Sequence, residues 1–216
     1  MLSCNEYDAC RSPILRGNIA YDGDGKMRVV HITTAHSPDD IRIFHKECCS
    51  LEKAGYDVTL ICPTNSSNSS KGVYIDAIPV PNSRRERMTR TIYQACDAAL
   101  DHKADLYHFH DPELIRIAPK LKRSGARVVY DSHEDVRAQI RTKGWIPRWS
   151  RGLIACSFGV LEDYAASRLD AIVAATAHIA KRFPTGKTVV VNNYPLKEEI
   201  IECHPNYTDR QPTIAY

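Results

Sequence analysis

Short β-branched runs alternate with helix-forming segments along most of this chain, and this alternation limits its fold more than any other feature. The clearest runs are "MRVVHITT" at 27–34, "YDVTLICP" at 56–63, "ADLYHFHD" at 104–111 and "ARVVYDSHED" at 126–135. Strands that are separated by helices form a parallel sheet covered on both faces. The sequence therefore predicts an α/β fold, a Rossmann-like doubly wound parallel sheet of about six or seven strands.

Three local patterns refine this prediction. After the first strand, Asp39 or Asp40 is expected to cap a helix that ends at Gly55. The stretch "TNSSNSSKG" at 64–72 is expected to be a polar loop, and Pro119 should bend the helix that begins at Pro112. The apolar positions expected on the buried face of the first helix are Ile41, Phe44, Cys48 and Leu51.

The length of 216 residues fits one large domain with extensions. Residues 1–25 show no periodicity and are predicted to be a disordered leader, and 26–210 form the predicted domain. The last residues, "QPTIAY" at 211–216, look like the first strand of a further domain. No apolar run is long enough to cross a membrane, and no secretory signal precedes the domain.

Eight cysteines without a regular spacing indicate reduced thiols, which predicts a cytoplasmic protein. The net charge of +3 is too small to indicate nucleic-acid binding.

Histidines and carboxylates follow three of the predicted strands at their carboxyl ends. In an open parallel sheet this edge is where ligands bind, so the three groups should meet there. The groups are His36, Asp39 and Asp40; His108, His110, Asp111 and Glu113; and Asp131, His133, Glu134 and Asp135.

The same residues are open to other interpretations. The loop "TAHSPDD" has no glycine, which argues against a dinucleotide site, and "TGK" at 185–187 precedes a strand instead of a helix. A metal site is conceivable for such residues, but no closed ligand spacing accompanies "HFH". His31 and His108 are interpreted as core histidines. Asp111 and Glu113 could instead cap their helix and interact with its dipole.

Four segments together resemble the N-terminal domain of family 4 (group 1) glycosyltransferases of the GT-B type, over roughly residues 27–216. They are the stretch from "HITTAHSPDDIRIFHKECC" to "GYDVTLICP", then "ADLYHFHDPELI", "VVYDSHED" and "VAATAHIAKRF". The resemblance implies two Rossmann-like domains facing across a cleft, with the acceptor mainly on this domain and the nucleotide-sugar donor on a second one. It implies transfer that retains the anomeric configuration and needs no metal or cofactor besides the donor.

The resemblance also implies roles for individual residues. His133 matches the histidine that contacts the donor sugar and is the expected catalytic residue. The resemblance places Asp40, Arg42, Asp111 and Glu113 among the substrate-binding residues. His110 and Glu134, at the same strand ends, are also expected to bind substrate. The chain departs from the family because its first loop lacks the glycines that many members place near the donor phosphate. The acidic donor-binding motif of the family belongs to the second domain.

The chain is therefore expected to be the acceptor-side half of a hexosyltransferase of cell-envelope or exopolysaccharide synthesis, truncated or split from its donor-binding partner. The alternative is a non-catalytic module that binds a sugar or a protein. Basic residues interleaved with Trp145 and Trp149, and the arginines of "SRRERMTR" at 83–90, are expected at an anionic membrane surface, the inner face of the plasma membrane, where a lipid-linked acceptor would lie. A solvated helix face explains the same residues equally well.

Overall fold

Eight strands form one sheet in the computed structural model, which describes residues 25–195. The sheet order is β3-β4-β2-β1-β5-β6-β7-β8, and every pair is parallel except β3 with β4. The predicted Rossmann-like parallel sheet is thus confirmed. The strands are β1 (Arg28–Ile32), β2 (Asp57–Pro63), β3 (Asn68–Ser70), β4 (Val73–Ile78), β5 (Leu106–Phe109), β6 (Arg127–Ser132), β7 (Ala171–Ala174) and β8 (Thr188–Val190).

The strand β3 lies inside the stretch predicted to be a polar loop, so that prediction was wrong. Its three residues pair antiparallel with β4 across the turn at Lys71 and Gly72. Such a short polar edge strand lacks the β-branched run by which strands are recognised. The prediction of six or seven strands was low for the same reason.

The helices cover both faces of the sheet. A π-helical segment, Ile41–Cys48, runs directly into α1 (Cys49–Lys53), and a second one, Arg87–Thr91, joins α2 to α3. A 3₁₀ segment, Pro112–Arg116, precedes α4, and a short one, Thr185–Lys187, precedes β8. The remaining helices are α2 (Arg84–Glu86), α3 (Ile92–Asp101), α4 (Ala118–Arg123), α5 (Val136–Thr142), α6 (Arg148–Arg168) and α7 (Ala177–Ala180).

The core has two parts because successive side chains of a strand point to opposite faces of the sheet. On one face Ile32 and Ile61 pack with Tyr107 and the helices α3, α4 and α6. On the other face Leu60 packs with Phe44 beneath the segment that follows β1.

The segment after β1 begins and ends where the sequence predicts. The Asp40 carboxylate caps it by accepting hydrogen bonds from the backbone N–H groups of Arg42 and Ile43, and Gly55 ends it with φ +92°. The prediction that Ile41 faces the core was wrong, since 58% of its surface is exposed. In a π-helix the hydrogen bonds run from i to i+5, which shifts the buried positions away from the 3.6-residue spacing that the prediction assumed.

The helix predicted to bend at Pro119 is broken. The 3₁₀ segment ends at Arg116, and α4 starts two residues later at Ala118. Proline has no N–H to donate to the carbonyl four residues earlier, which explains the interruption.

The long helix α6 is anchored by Glu162, whose carboxylate is fully buried and lies 2.5 Å from Arg182 Nη2 and 3.4 Å from Arg137 Nε. The opposite face of α6 is exposed and apolar, with Trp149 85% and Leu153 69% exposed. Within residues 25–195, no helix combines the length and the apolar character that a membrane span needs. The predicted leader, up to residue 24, and the predicted strand at 211–216 lie outside the described residues.

Candidate active-site cleft

The carboxyl ends of β1, β5 and β6 open into a cleft of about 700 Å³. This is the edge at which the sequence analysis placed the three groups of polar residues. All seven predicted site residues line the cleft. The predicted residues in the wall are Asp40, Arg42, His110, Asp111, Glu113, His133 and Glu134.

An ion pair between Arg42 and Asp131 lies at the floor of the cleft. Arg42 Nε donates to Asp131 Oδ2 at 3.1 Å, and Arg42 Nη2 donates to both carboxylate oxygens at 3.0 Å. The Asp131 side chain is fully buried, and only 9% of the Arg42 side chain is exposed. The pair therefore ties the helical segment after β1 to the end of β6.

Two imidazoles flank the buried carboxylate. His110 Nδ1 and His133 Nδ1 each lie 3.4 Å from an oxygen of Asp131, and the two rings stack with centroids 5.4 Å apart. Burial acts to raise the pKa of Asp131, but the contact with His110 and the neighbouring histidine charges outweigh it and lower that pKa. Burial, with the neighbouring cations, lowers the pKa of His133 to about 4, although Asp131 opposes this. At neutral pH the Asp131 carboxylate therefore faces a largely neutral His133 ring.

The carboxylate of Asp111 organises the loop after β1. It accepts hydrogen bonds from Thr33 Oγ1 at 2.8 Å and from the Thr34 backbone N–H at 2.6 Å. Glu113 accepts a hydrogen bond from Thr34 Oγ1 at 3.1 Å and lies 2.9 Å from Arg87 Nε. The alternative that Asp111 caps its own helix was wrong, because its carboxylate makes no capping hydrogen bond there.

His36 and Asp40 form the rim of the cleft on the β1 side. His36 Nδ1 lies 3.0 Å from Asp40 Oδ2, and its Nε2 lies 3.6 Å from Asp111 Oδ1. Burial acts to raise the pKa of Asp40, but the hydrogen bonds from Ile43 and Arg42 and the contact with His36 lower it. Asp40 is therefore held as a carboxylate. Glu134, on the β6 side of the cleft, accepts a hydrogen bond from Gln139.

Three further residues lie just beneath this site. His31 and His108 are buried, as the sequence predicts for core histidines, but they stand beside His110 instead of among aliphatic side chains. Glu47 faces all three rings and was not predicted at all. Arg42 and Glu47 are five residues apart, which places them together on a π-helix but apart on an α-helix. No signal in the sequence marked the π-helical winding.

One part of the cleft wall is basic and apolar. Arg84, Arg87, Arg116 and Lys143 line it, and the guanidinium of Arg84 lies 4.7 Å from the ring centre of Trp145. Arg84 and Arg87 were expected at a membrane surface, whereas in the structure they line the cleft. Apolar side chains complete this wall, among them Ile146, Ile154, Phe158 and Leu161.

The profile of the glycosyl transferase 4-like domain matches residues 42–193. The match covers more than half of the chain, so this chain belongs to that family. The predicted glycosyltransferase family is therefore confirmed. None of the curated proteins compared with the chain is similar enough to match.

Solved structures share the fold at low sequence identity. A sucrose-phosphate synthase from Thermosynechococcus elongatus is 12% identical with a TM-score of 0.59, over 77% of this chain and 48% of that one. LpCGTa in complex with UDP is 13% identical with a TM-score of 0.54, over 79% and 53%. HepE from Anabaena, in complex with UDP and glucose, is 9% identical with a TM-score of 0.51, over 77% and 44%. The chain thus spans about half the length of these structures.

Proposed function

We propose that this chain is the acceptor-side half of a retaining, nucleotide-sugar-dependent hexosyltransferase that acts in cell-envelope or exopolysaccharide synthesis. The observation that carries the proposal is the polar cleft at the ends of β1, β5 and β6 in a chain of the glycosyl transferase 4-like family. The donor-binding half would be a second domain or a partner chain. UDP in two of the similar structures supports a nucleotide-sugar donor.

Glycosyl transfer passes through a sugar centre with oxocarbenium character, while negative charge develops on the leaving phosphate. His133 is the proposed catalytic residue on this side of the cleft. Its ring is largely neutral at pH 7, so it can hydrogen-bond a sugar hydroxyl without repelling the developing positive charge. The Arg42–Asp131 pair and the stacked His110 hold its ring in place.

The carboxylates of the cleft suit an acceptor with several hydroxyl groups. Asp40, Asp111, Glu113 and Glu134 can each accept hydrogen bonds from such groups. The basic wall favours an anionic group on the acceptor, and the apolar side chains beside it favour a hydrocarbon portion. A lipid-linked sugar phosphate or diphosphate combines these features and is the proposed acceptor class.

Peripheral binding to an anionic membrane is part of this proposal. The exposed face of α6 carries Trp149, Leu153, Val160 and Tyr164, and basic residues flank it at Arg148 and Arg168. Exposed aromatic and aliphatic side chains with a basic rim suit a membrane interface. Flotation with vesicles containing anionic lipid tests this, with Trp149→Ser expected to weaken binding. Tyr74→Ser, on β4 next to the far edge strand of the sheet, is the matched control, and equal binding of both variants would remove this part of the proposal.

A transfer assay tests the function itself. The assay uses membranes and cytosol from source cells that lack this chain, and these supply the acceptor and the donor-binding half. The purified chain is then added together with radiolabelled nucleotide sugars. We expect label to enter the organic-extractable fraction only when the chain is present. His133→Ala should reduce this transfer by about 10²-fold, the typical cost of losing one transition-state contact. His178→Ala, an exposed histidine of α7, is the control.

The alternative is a module that binds a sugar or a protein without turnover. Chain-independent transfer in that assay, together with measurable saccharide binding by calorimetry, would support the module and refute the transferase.

A further inference from the structure

Beneath the floor of the cleft, three imidazoles and one carboxylate point at one another. One ligand atom from each of His31, Glu47, His108 and His110 lies within 4.8 Å of all the others. Glu47 Oε2 is 4.0 Å from His31 Nδ1 and 3.9 Å from both His108 Nδ1 and His110 Nε2. His31 Nδ1 is 2.9 Å from His110 Nε2. The four atoms therefore surround a common point.

These separations are close to those of a tetrahedral ion. Bonds of about 2.0–2.2 Å to Zn²⁺ place neighbouring ligand atoms about 3.3–3.5 Å apart. To bind such an ion, the three distances from Glu47 Oε2 to the histidine nitrogens would have to shorten by about 0.5 Å. The distance between His31 Nδ1 and His110 Nε2 would have to lengthen by a similar amount. Side-chain rotations of this size need no movement of the strands that carry the histidines.

The residues around these four side chains also suit a bound metal ion. His110 Nδ1, on the far side of its ring, lies 3.4 Å from Asp131 Oδ2, and Arg42 fixes that carboxylate. A carboxylate behind a metal-bound imidazole is the usual arrangement that orients such a ligand. Glu47 Oε1 lies 3.1 Å from Arg42 Nε, which leaves Oε2 toward the rings. The Glu47 side chain is 14% exposed and offers a route for an ion.

We propose that His31, Glu47, His108 and His110 bind one divalent transition-metal ion, with a preference for Zn²⁺. Three imidazole nitrogens and one carboxylate oxygen are a donor set that such ions take, whereas Mg²⁺ and Ca²⁺ prefer oxygen alone. The ion would join β1, β5 and the helical segment after β1 and would fix His110 at the cleft floor. The sequence patterns predicted no metal site, and this proposal departs from that prediction because Glu47 supplies the fourth ligand that the spacing of "HFH" did not reveal.

A second group, His110, Asp131 and His133, also brings three donor atoms together. Its carboxylate already accepts three hydrogen bonds from Arg42, so an ion there would displace a guanidinium. The alternative without any ion is a polar cluster held by the hydrogen bond between His31 and His110.

Co²⁺ titration of the untagged chain tests the site, because Co²⁺ replaces Zn²⁺ and its visible absorption reports tetrahedral coordination. The chain is first dialysed against a chelator, and native mass spectrometry counts the bound ions. We expect one ion per chain and displacement of Co²⁺ by Zn²⁺. His108→Asn should weaken Co²⁺ binding by more than about 100-fold, beyond the 10–100-fold typical of the residues behind the ligands. Glu47→Gln, at a partly exposed position, provides a second variant if His108→Asn does not fold.

Two controls separate this site from the alternatives. His45→Gln removes an exposed histidine, paired with Asp39 on the same helical segment, and should leave Co²⁺ affinity unchanged. His133→Asn should also leave it unchanged, whereas a loss confined to that variant would overturn the proposal in favour of the second group. A folded wild-type chain that binds no stoichiometric ion would overturn it in favour of the hydrogen-bonded cluster.

Discussion

Replacing Arg42 with alanine should destabilise the fold far more than removing an ion pair from the surface. The substitution leaves the fully buried Asp131 carboxylate without the guanidinium that donates to both of its oxygens. His133 and His108 do not replace its charge at neutral pH, since burial keeps His133 largely neutral and lowers the pKa of His108 to about 3. Breaking one partner of a buried pair costs about 3–5 kcal/mol.

This cost is a large part of the 5–15 kcal/mol by which domains are typically stable. With a urea dependence of about 2 kcal/mol per M, a loss of about 4 kcal/mol lowers the unfolding midpoint by about 2 M. Circular dichroism in urea, with a chelator present so that no ion contributes, measures this shift. Lys120→Ala is the control, because Lys120 Nζ and Asp97 Oδ1 are only 2.6 Å apart but exposed, and its midpoint should stay within error. Equal midpoints for the two variants would refute the conclusion that burial gives the Arg42–Asp131 pair its importance.

Three further predictions follow from single features. Asp40→Asn keeps an oxygen that can cap the helical segment, but it removes a negative charge that the folded state favours. The variant should therefore be less stable to unfolding than the wild-type chain at pH 7. The lowered pKa of Asp40 means that this difference is lost as pH falls through the folded value, below the ordinary carboxyl range, which urea midpoints against pH would show. Gly55→Ala places a side chain on a residue with φ +92° and should lower the free energy of unfolding by about 1–2 kcal/mol. Gly144→Ala, at a residue without a positive φ, should leave the free energy of unfolding unchanged. Equal effects of the two substitutions would contradict the role given to the positive φ of Gly55. Among the described cysteines Cys156 should be alkylated first, because it is exposed while burial raises the pKa of Cys62 to about 12, and peptide mass spectrometry would reveal any other order.

The sequence predicted the sheet and the place of the cleft because both follow from short-range patterns. β-branched runs with helical segments between them define a parallel sheet, and "HFHDPEL" and "YDSHED" end two neighbouring strands of it. The side chains that meet there could be named because parallel strands bring their carboxyl ends to one edge.

The remaining features depend on winding and on distant partners. Glu47 joins the histidines only because its segment is π-helical, and the same winding exposes Ile41. The carboxylate of Asp111 pairs with Thr33 and Thr34, 78 and 77 residues away, instead of capping the helix beside it. Neither the winding nor these pairings has a local sequence signal.

His31 also restricts how β1 can pair within the sheet. Four of the five residues of β1 are buried, and its apolar positions fall on both faces, so hydrophobic alternation alone barely distinguishes one register from the next. In the observed register His31 lies opposite His108. A slip by one residue would turn the imidazole toward the aliphatic side of the sheet, around Ile32 and Tyr107, without a hydrogen-bond partner. The single polar side chain of His31 thus disfavours other registers of a strand whose apolar residues do not define one.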